Sequence, residues 1–310
     1  MTVQLNGKVG MSGRFKLTAI KPDGTTRHLA EFDNMILDSG LAYYATTTTG
    51  VTDTIGYCHI GSGTVPVSAT QTQLVSPISA TLNQSGVTGQ TGQRANLAPD
   101  YSFTRVVVRR FNPGTAKNVA EVGMGWGPSA TNLFCRALVR DAAGEPMTVS
   151  VASDETLDVT YEFTLYPQNS DIVGTLNLSS GTHSTIVRPC EAGRSSFLTL
   201  LGYPYLTLSN PSNGLFSPRA PVPFTDSFSP VGGETAPVEY IRSGVDEQGH
   251  YIEMRVKAPL SRANFSEGIR SMKLAPSQFV PVQIGFEPPI PKTASQTFSI
   301  TLRTYFGRRE

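Results

Sequence analysis

The cysteines and histidines are the residues in this sequence most able to do chemistry, and their spacing does not assemble a site. Cys58, Cys135 and Cys190 lie far apart, and no CxxC pair or Cys/His cluster could bind zinc. The four histidines occur singly, without an HxH or HExxH spacing. We therefore expect buried, inert thiols, isolated histidines and no metal site.

The acidic and glycine-rich segments also lack a catalytic spacing. Asp154, Glu155 and Asp158 crowd one segment and could mimic a carboxylate pair, but turn capping and a solvated strand face explain them adequately. The glycine clusters at 61–63 and 123–127 are followed by no predicted helix and complete neither GxGxxG nor a P-loop. We interpret them as bulges and close strand crossings. A GxSxG elbow is absent, so an esterase-like nucleophile has no support. Because none of these catalytic or cofactor-binding patterns is present, we expect no enzyme and no cofactor.

Two groups of residues are candidates for contacts between subunits. Arg105 and Arg109 share one face of a predicted strand, where charges blunt a sheet edge or form salt bridges between subunits. Pro288, Pro289 and Pro291 make a stiff segment that could dock on a neighbouring protein. A nucleic-acid platform built on the arginines is the weaker alternative.

Three aromatic residues are the candidates for a carbohydrate contact. Sugar sites on β-sandwiches stack an aromatic ring on the pyranose, and Trp126, Tyr203 and Tyr205 could serve. Trp126 lies in a strand-like context, so burial in the core is the alternative interpretation of that residue.

The composition limits the class of protein to which this chain can belong. The 310 residues carry 25 Lys+Arg and 24 Asp+Glu, and a net charge of +1 argues against nucleic acid as a partner. The most apolar stretch, 197–208, is interrupted by Gly202 and Pro204 and is too short to span a membrane. The first ten residues lack the pattern of a signal peptide. We expect a chain made in a reducing cytoplasm and not inserted into a membrane.

Alternating apolar and polar residues predict strands along most of the sequence. Residues 15–32 predict a hairpin with a turn at 22–24, and Asp38 or Ser39 is expected to cap one short helix. The remaining predicted strands are 57–63, 101–111, 119–126, 134–140, 147–151, 157–166, 172–178, 184–188 and 251–257, with 280–286 and 297–306 as a final pair. The long segments 64–100 and 210–237 are expected to be loops ordered by neighbouring subunits.

These elements predict an all-β protein of two antiparallel β-sandwich domains, immunoglobulin- or jelly-roll-like, with one short N-terminal helix and long loops. The predicted domains are 1–168 and 169–310.

Several short motifs, in their order along the chain, resemble structural proteins of tailed-bacteriophage virions. The motifs are Gly13-Arg14-Phe15, residues 32–41, His59-Ile60-Gly61-Ser62-Gly63-Thr64, residues 119–125, residues 134–139 and residues 155–167. Their order and spacing are similar to tail fibre and tail-tip (baseplate) components. The C-terminal half resembles phage structural chains more loosely, through residues 285–292 and 297–307.

The resemblance implies a non-enzymatic structural protein of the phage tail, in the tail tip, baseplate, collar or fibre attachment. Its partners would be further copies of itself and other tail proteins, and its location would be the virion after synthesis in the host bacterial cytoplasm. The alternative is a receptor- or glycan-binding tail fibre protein that attaches to a host cell-surface glycan. A depolymerase is the weakest hypothesis, because the sequence shows no β-helix repeat. The resemblance transfers no catalytic residue.

Overall fold

The structure is a computed structural model that describes residues 2–46, 54–84, 92–96, 102–167, 170–189, 214–221, 233–236, 238–274 and 282–309. It is 61% strand and 4% helix, which confirms the all-β class with one short helix.

The elements follow one another along the chain as twenty-one strands and a helix within the described residues. The first part comprises β1 (Thr2–Ile20), β2 (Thr26–Asp33), β3 (Met35–Ile36), α1 (Asp38–Thr46), β4 (Tyr57–Gly61), β5 (Pro77–Thr81), β6 (Gly92–Asn96), β7 (Ser102–Phe111), β8 (Lys117–Val119), β9 (Glu121–Gly125), β10 (Leu133–Leu138), β11 (Val149–Val151) and β12 (Thr156–Pro167). The second part comprises β13 (Ile172–Leu178), β14 (Gly181–Pro189), β15 (Gly214–Ser217), β16 (Glu234–Ala236), β17 (Val238–Asp246), β18 (Gly249–Ala258), β19 (Ile269–Leu274), β20 (Val282–Ile290) and β21 (Phe298–Arg308).

Local sequence signals account for the N-terminal elements. The predicted hairpin is confirmed as β1 and β2, with Gly24 at a φ of 84°, a backbone angle that glycine adopts at little cost. The predicted helix is confirmed as α1, which begins at Asp38. The alternation in β12 is confirmed as well, because its five odd-numbered apolar residues from 157 to 165 are all buried.

One long sheet runs through both halves of the chain. Its strand order is β17-β18-β21-β1-β12-β7-β6, and β2 pairs with β1 beside this path. Strand β1 joins the halves, because residues 2–11 pair in parallel with β21 and residues 9–20 pair antiparallel with β12. Strands from both predicted domains, 1–168 and 169–310, therefore belong to one sheet.

A second sheet covers the part of the long sheet that comes from the first half. It has the order β3-β10-β9-β4-β5. Phe134 of β10 meets Phe163 of β12 edge to face, with ring centroids 5.3 Å apart. Helix α1 packs beside this contact, since Tyr44 touches both Phe163 and Phe306 of β21. The helix thus lies where the two halves meet.

A third sheet covers the part of the long sheet that comes from the second half. Its order is β13-β14-β20-β19-β15-β16. Phe298 of β21 packs against Phe216 of β15 and Phe286 of β20. Phe298 and Phe306 lie on the same face of β21 because side chains alternate along a strand. The third sheet and helix α1 therefore cover one face of the long sheet.

Two expectations about the strands are wrong. Strands β20 and β21 do not pair with each other: β20 pairs with β14 and β19, whereas β21 pairs with β1 and β18. The chain changes sheets in the connection between them, residues 291–297. The segment 64–100, predicted to be a loop ordered by neighbouring subunits, contains β5 and β6 among its described residues, and residues 64–76 are held by buried polar side chains of this same chain, described below.

Gly40 offers a test of the packing between α1 and β10. A Cβ atom at this position would lie 2.1 Å from the carbonyl oxygen of Phe134, a backbone atom that cannot rotate away. Gly40→Ala should therefore lower the free energy of unfolding by about 1–3 kcal/mol, the usual cost of overpacking. Urea denaturation measures this change.

The matched control is Gly114→Ala, where an added Cβ meets nothing within 4 Å. This variant should keep or slightly raise the stability of the protein. Equal stabilities for the two variants would contradict the packing described here.

Candidate functional site

An ion pair with no solvent exposure lies on the second sheet, on the face turned away from the main core. Glu121 begins β9 and Arg136 lies on the adjacent strand β10, and both side chains are 0% exposed. The Arg136 Nε donates to Oε2 of Glu121 at 2.8 Å. Such a pair is stable only when the remaining polar atoms of both groups are also hydrogen-bonded.

Residues 62–76, which we call the strap, supply those hydrogen bonds. The Glu121 carboxylate accepts backbone N–H groups of Gly63, Val75 and Ser76 at 3.1, 3.1 and 2.7 Å. The Arg136 guanidinium donates to the Gln71 side-chain oxygen at 2.8 Å and to the Val65 carbonyl at 2.9 Å. The pair therefore fixes both ends and the middle of the strap.

Two glycines make room for the carboxylate. An added Cβ at Gly61 or at Gly63 would lie 2.5 Å from Oε1 of Glu121. This close approach is the physical reason for the glycine cluster at 61–63, and it confirms the interpretation of these glycines as sites of close crossing.

The strap also has a small apolar core of its own. Leu74 is 1% exposed and packs with Leu37 and Leu133, separately from the main core. The backbone N–H of Asp38 donates to the carbonyl of Ala69 at 2.9 Å, which ties the strap to the start of α1. Every residue of β9 and β10 is buried as a result, so neither strand has a face exposed to solvent.

Apolar side chains project outward from the strap and from the strand that follows it. Seven large hydrophobic residues are exposed among those the structure describes, and four lie between positions 65 and 82. These four are Val65, Val75, Ile78 and Leu82, exposed by 49, 46, 40 and 53%. Strand β5, which carries Ile78, is the last strand of its sheet. We call these four residues the apolar edge surface.

His59 is a third buried polar residue on this face of the sheet, beside Glu121 and Arg136. It is 1% exposed, and because a carbonyl can only accept, its Nε2 donates to the Gly127 carbonyl at 3.0 Å. Burial disfavours the charged imidazolium and lowers the pKa of His59, an effect only partly offset by this hydrogen bond.

The two predicted interface arginines face inward. Arg105 and Arg109 lie opposite Phe163 and Val159 of β12, on the side of β7 that contributes to the core. Arg109 is 4% exposed and donates its Nε to the Gly56 carbonyl at 2.6 Å, so its guanidinium is engaged within the chain. Burial lowers the pKa of both guanidinium groups.

The predicted interface prolines lie at the end of a strand of the third sheet, whereas the arginines lie on the long sheet. Pro288 and Pro289 belong to the end of β20, and Pro291 follows it. All three line a cavity of about 590 Å³ in the second half of the chain. The structure does not bring them near the inward-facing arginines of β7, which belong to the first half.

Trp126, a predicted carbohydrate contact, has one ring face already covered. Its ring stacks on Tyr43 of α1, with centroids 4.0 Å apart and an angle of 4° between the planes. A sugar could reach only the opposite face of the indole. Tyr203 and Tyr205 lie outside the described residues.

The remaining reactive side chains have structural partners. Asp158 pairs with Arg110, and Glu155 pairs with Arg27 and accepts the backbone N–H of Ala152. Cys58 and Cys135 are buried free thiols, as expected, and burial raises the pKa of the Cys135 thiol to about 12. Cys190 lies outside the described residues. No group of three or more potential metal ligands assembles in the part of the chain that the structure describes.

Sequence reasoning missed Glu121, Arg136 and Gln71. A glutamate and an arginine at alternating positions of two strands are typical of a solvent-facing surface. A usable signal is the alternation of Glu121 with Gly123 and Gly125, since small residues on one face of a strand permit another segment to lie close to it.

Comparison of the chain with protein-family models, with curated proteins and with solved structures gives no match. None of the helical residues described here forms a segment long and apolar enough to cross a bilayer.

Arg136→Met should detach the strap. The substitution leaves the Glu121 carboxylate buried without its cation, and we expect it to lower the free energy of unfolding by about 3–5 kcal/mol. Urea denaturation measures the loss, and limited proteolysis should show new cleavage between residues 62 and 76.

The control is Arg14→Met, which breaks an exposed pair with Glu31 at 3.2 Å. This change should cost at most about 1 kcal/mol, because solvent screens the pair. A comparable loss in both variants, or an uncut strap in Arg136→Met, would show that the buried pair does not hold the strap.

His59 should make the stability of the protein depend on pH. Its folded-state pKa lies below its unfolded value of about 6.5, so the unfolded chain binds the extra proton more readily. Its contribution is fully present above pH 6.5 and is lost as the pH falls through the folded pKa. The slope due to one proton is at most about 1.4 kcal/mol per pH unit.

Urea denaturation between pH 7.5 and 5 should show this decline, and His59→Gln should make it shallower. His28→Gln, at an exposed histidine, should leave the slope unchanged. A slope that is identical in the wild type and in His59→Gln would rule out this assignment.

Proposed function

We propose that this protein is a non-enzymatic structural subunit of a bacteriophage tail that assembles with copies of itself and with other tail proteins. The resemblance of its motifs to tail fibre and tail-tip components suggests the setting. The observation that carries the proposal is the apolar edge surface, where four exposed hydrophobic residues lie in and beside an edge strand.

An exposed edge strand with apolar side chains is a liability in a protein that works as a monomer. Residues 83–84, just beyond β5, pair with Arg109 and Arg110 of β7, so among the described residues the edge is open only along β5 itself. Such an edge offers unpaired backbone groups to other chains, and monomeric proteins usually protect it with charges or prolines. Pro77 lies at the start of β5, but the next residue, Ile78, is 40% exposed and apolar. A partner that covers this surface would bury the apolar side chains and extend the sheet.

The anchoring of the strap favours a preformed interface. The Val65 carbonyl accepts a hydrogen bond from Arg136 and the Val75 N–H donates one to Glu121, so their backbone positions are fixed before any partner binds. A rigid surface loses little conformational entropy on association, which suits subunits that must form the same contact many times.

A second copy of the chain is the simplest partner. Two β5 strands related by a two-fold axis would pair antiparallel and place the same apolar residues against each other. Ile78→Glu should put a charge into that contact and shift the purified protein to a smaller mass in light scattering after size-exclusion chromatography.

Leu260→Glu is the matched control, because Leu260 is exposed to a similar degree, 49%, but lies outside the strap and β5. It should leave the mass unchanged. A wild-type protein that is monomeric at high concentration, or equal effects of the two substitutions, would contradict self-assembly through this surface.

The setting in a virion needs a separate measurement. Mass spectrometry of purified phage particles from the producing host should detect the chain at a fixed ratio to the other tail proteins. Its absence from particles would overturn the proposal. Retention of the purified protein on host cells would instead favour the receptor- or glycan-binding alternative.

A further inference from the structure

A cavity of about 590 Å³ lies in the second half of the chain. Its walls are the turn of the β13–β14 hairpin, the loop that precedes β19 and the segment that follows β20. Its volume falls within the range of small-molecule sites.

One wall of this cavity contains a buried ammonium group. Lys292 is 5% exposed, and its Nζ donates to the Asn264 side-chain oxygen at 2.8 Å and to the Thr293 carbonyl at 3.4 Å. An ammonium group has three N–H donors, so one is left without an acceptor in the described part of the chain. No carboxylate described here lies within ion-pair distance of Lys292.

A buried cation without a directly paired counter-ion is unusual, because no contact offsets the desolvation of the charge. The Glu234 carboxylate, which accepts the backbone N–H of Ala263 at 2.8 Å, favours the charged form of Lys292 from beyond ion-pair distance, and this attraction is smaller than the effect of burial. Burial accordingly lowers the pKa of Lys292.

The conformation of the loop before β19 directs the Asn264 side-chain oxygen toward the Lys292 ammonium group. Ala263 has a φ of 57°, in the left-handed region that non-glycine residues seldom adopt. The Asn264 amide nitrogen donates to the Leu260 carbonyl at 2.7 Å, which directs the amide oxygen toward Lys292. Backbone strain of this kind is retained where the surrounding structure or a function requires it.

The opposite wall combines polar and apolar groups. His183 donates its Nδ1–H to the Pro288 carbonyl at 2.6 Å, so its Nε2 is left to accept the hydroxyl of Ser180 at 3.1 Å. The Phe265 ring and Pro289 add apolar surface to the cavity. A ligand could therefore place a charged group at Lys292 and a ring against Phe265.

We propose that this cavity binds a small organic monocarboxylate, whose carboxylate becomes the counter-ion of Lys292. A single cation with one free N–H matches one negative charge. A phosphate dianion fits less well, because no arginine is among the described residues that line the cavity, and the Glu267 carboxylate in its wall repels two negative charges more strongly than one. The volume leaves room for a body of about monosaccharide size beyond the carboxylate.

Three probes separate the contributions of the charge and the ring. D-glucuronate carries both, acetate carries the carboxylate alone, and D-glucose carries the ring alone. In a titration of the full chain followed by NMR, glucuronate should shift the backbone amide signals of Phe265 and Gly268. Glucose should leave them in place, and acetate should shift them at concentrations at least tenfold higher. Inorganic phosphate that binds more tightly than glucuronate would overturn the choice of a monocarboxylate.

Two substitutions in the same wall should act in opposite directions. Lys292→Gln keeps a donor for Asn264 but removes the charge, and it should weaken glucuronate binding at least tenfold. Glu267→Gln removes a repelling charge and should strengthen binding about twofold to threefold. Circular dichroism and the thermal midpoint show whether each variant is folded. Unchanged binding in folded Lys292→Gln, or weaker binding in Glu267→Gln, would refute the proposal.

Discussion

The buried pair of Glu121 and Arg136 is the interaction on which the organisation of the first half depends. Five hydrogen bonds join these two side chains to the strap. Without the strap, the pair would lie on the open face of an antiparallel sheet, where it would contribute little to stability. With the strap in place, both charged groups are shielded from water, and hydrogen bonds from the strap replace those that water would otherwise make. The strap and the pair are therefore stable only together.

This arrangement turns a two-layer sandwich locally into three layers. Val122, Met124 and Cys135 fill the main core between the two sheets, while Leu37, Leu74 and Leu133 form a second core beneath the strap. Helix α1 links the two layers, since Leu37 precedes it directly and Tyr44 on the helix reaches the main core. The small apolar cluster and the buried ion pair thus both hold the strap in place.

Much of the fold was predictable from the sequence, because it depends on local patterns. Alternation located β7, β12 and β18, turn chemistry located the β1–β2 hairpin, and apolar spacing located α1. The predicted cap is wrong, because the Leu37 carbonyl, not a group of Asp38 or Ser39, accepts the first backbone hydrogen bond of the helix. The pairing of the strands was harder to predict: nothing in residues 280–306 shows that β20 and β21 belong to different sheets. The site was also hidden, since an inward Arg109 and a buried Glu121 look like surface charges until the covering segment is known.

The position of β1 has a consequence for how the chain reaches its native state. Val9 of β1 pairs with Pro167 on one side and with Phe306 on the other. Phe306 lies roughly 300 residues after Val9 in the sequence. Contacts of such high sequence separation require the closure of a very large loop and form slowly. During synthesis, the first half can complete its own sandwich while the β21 side of β1 stays open. That open strand edge is a temporary template for pairing with other nascent chains, and its closure is the step at which folding competes with aggregation.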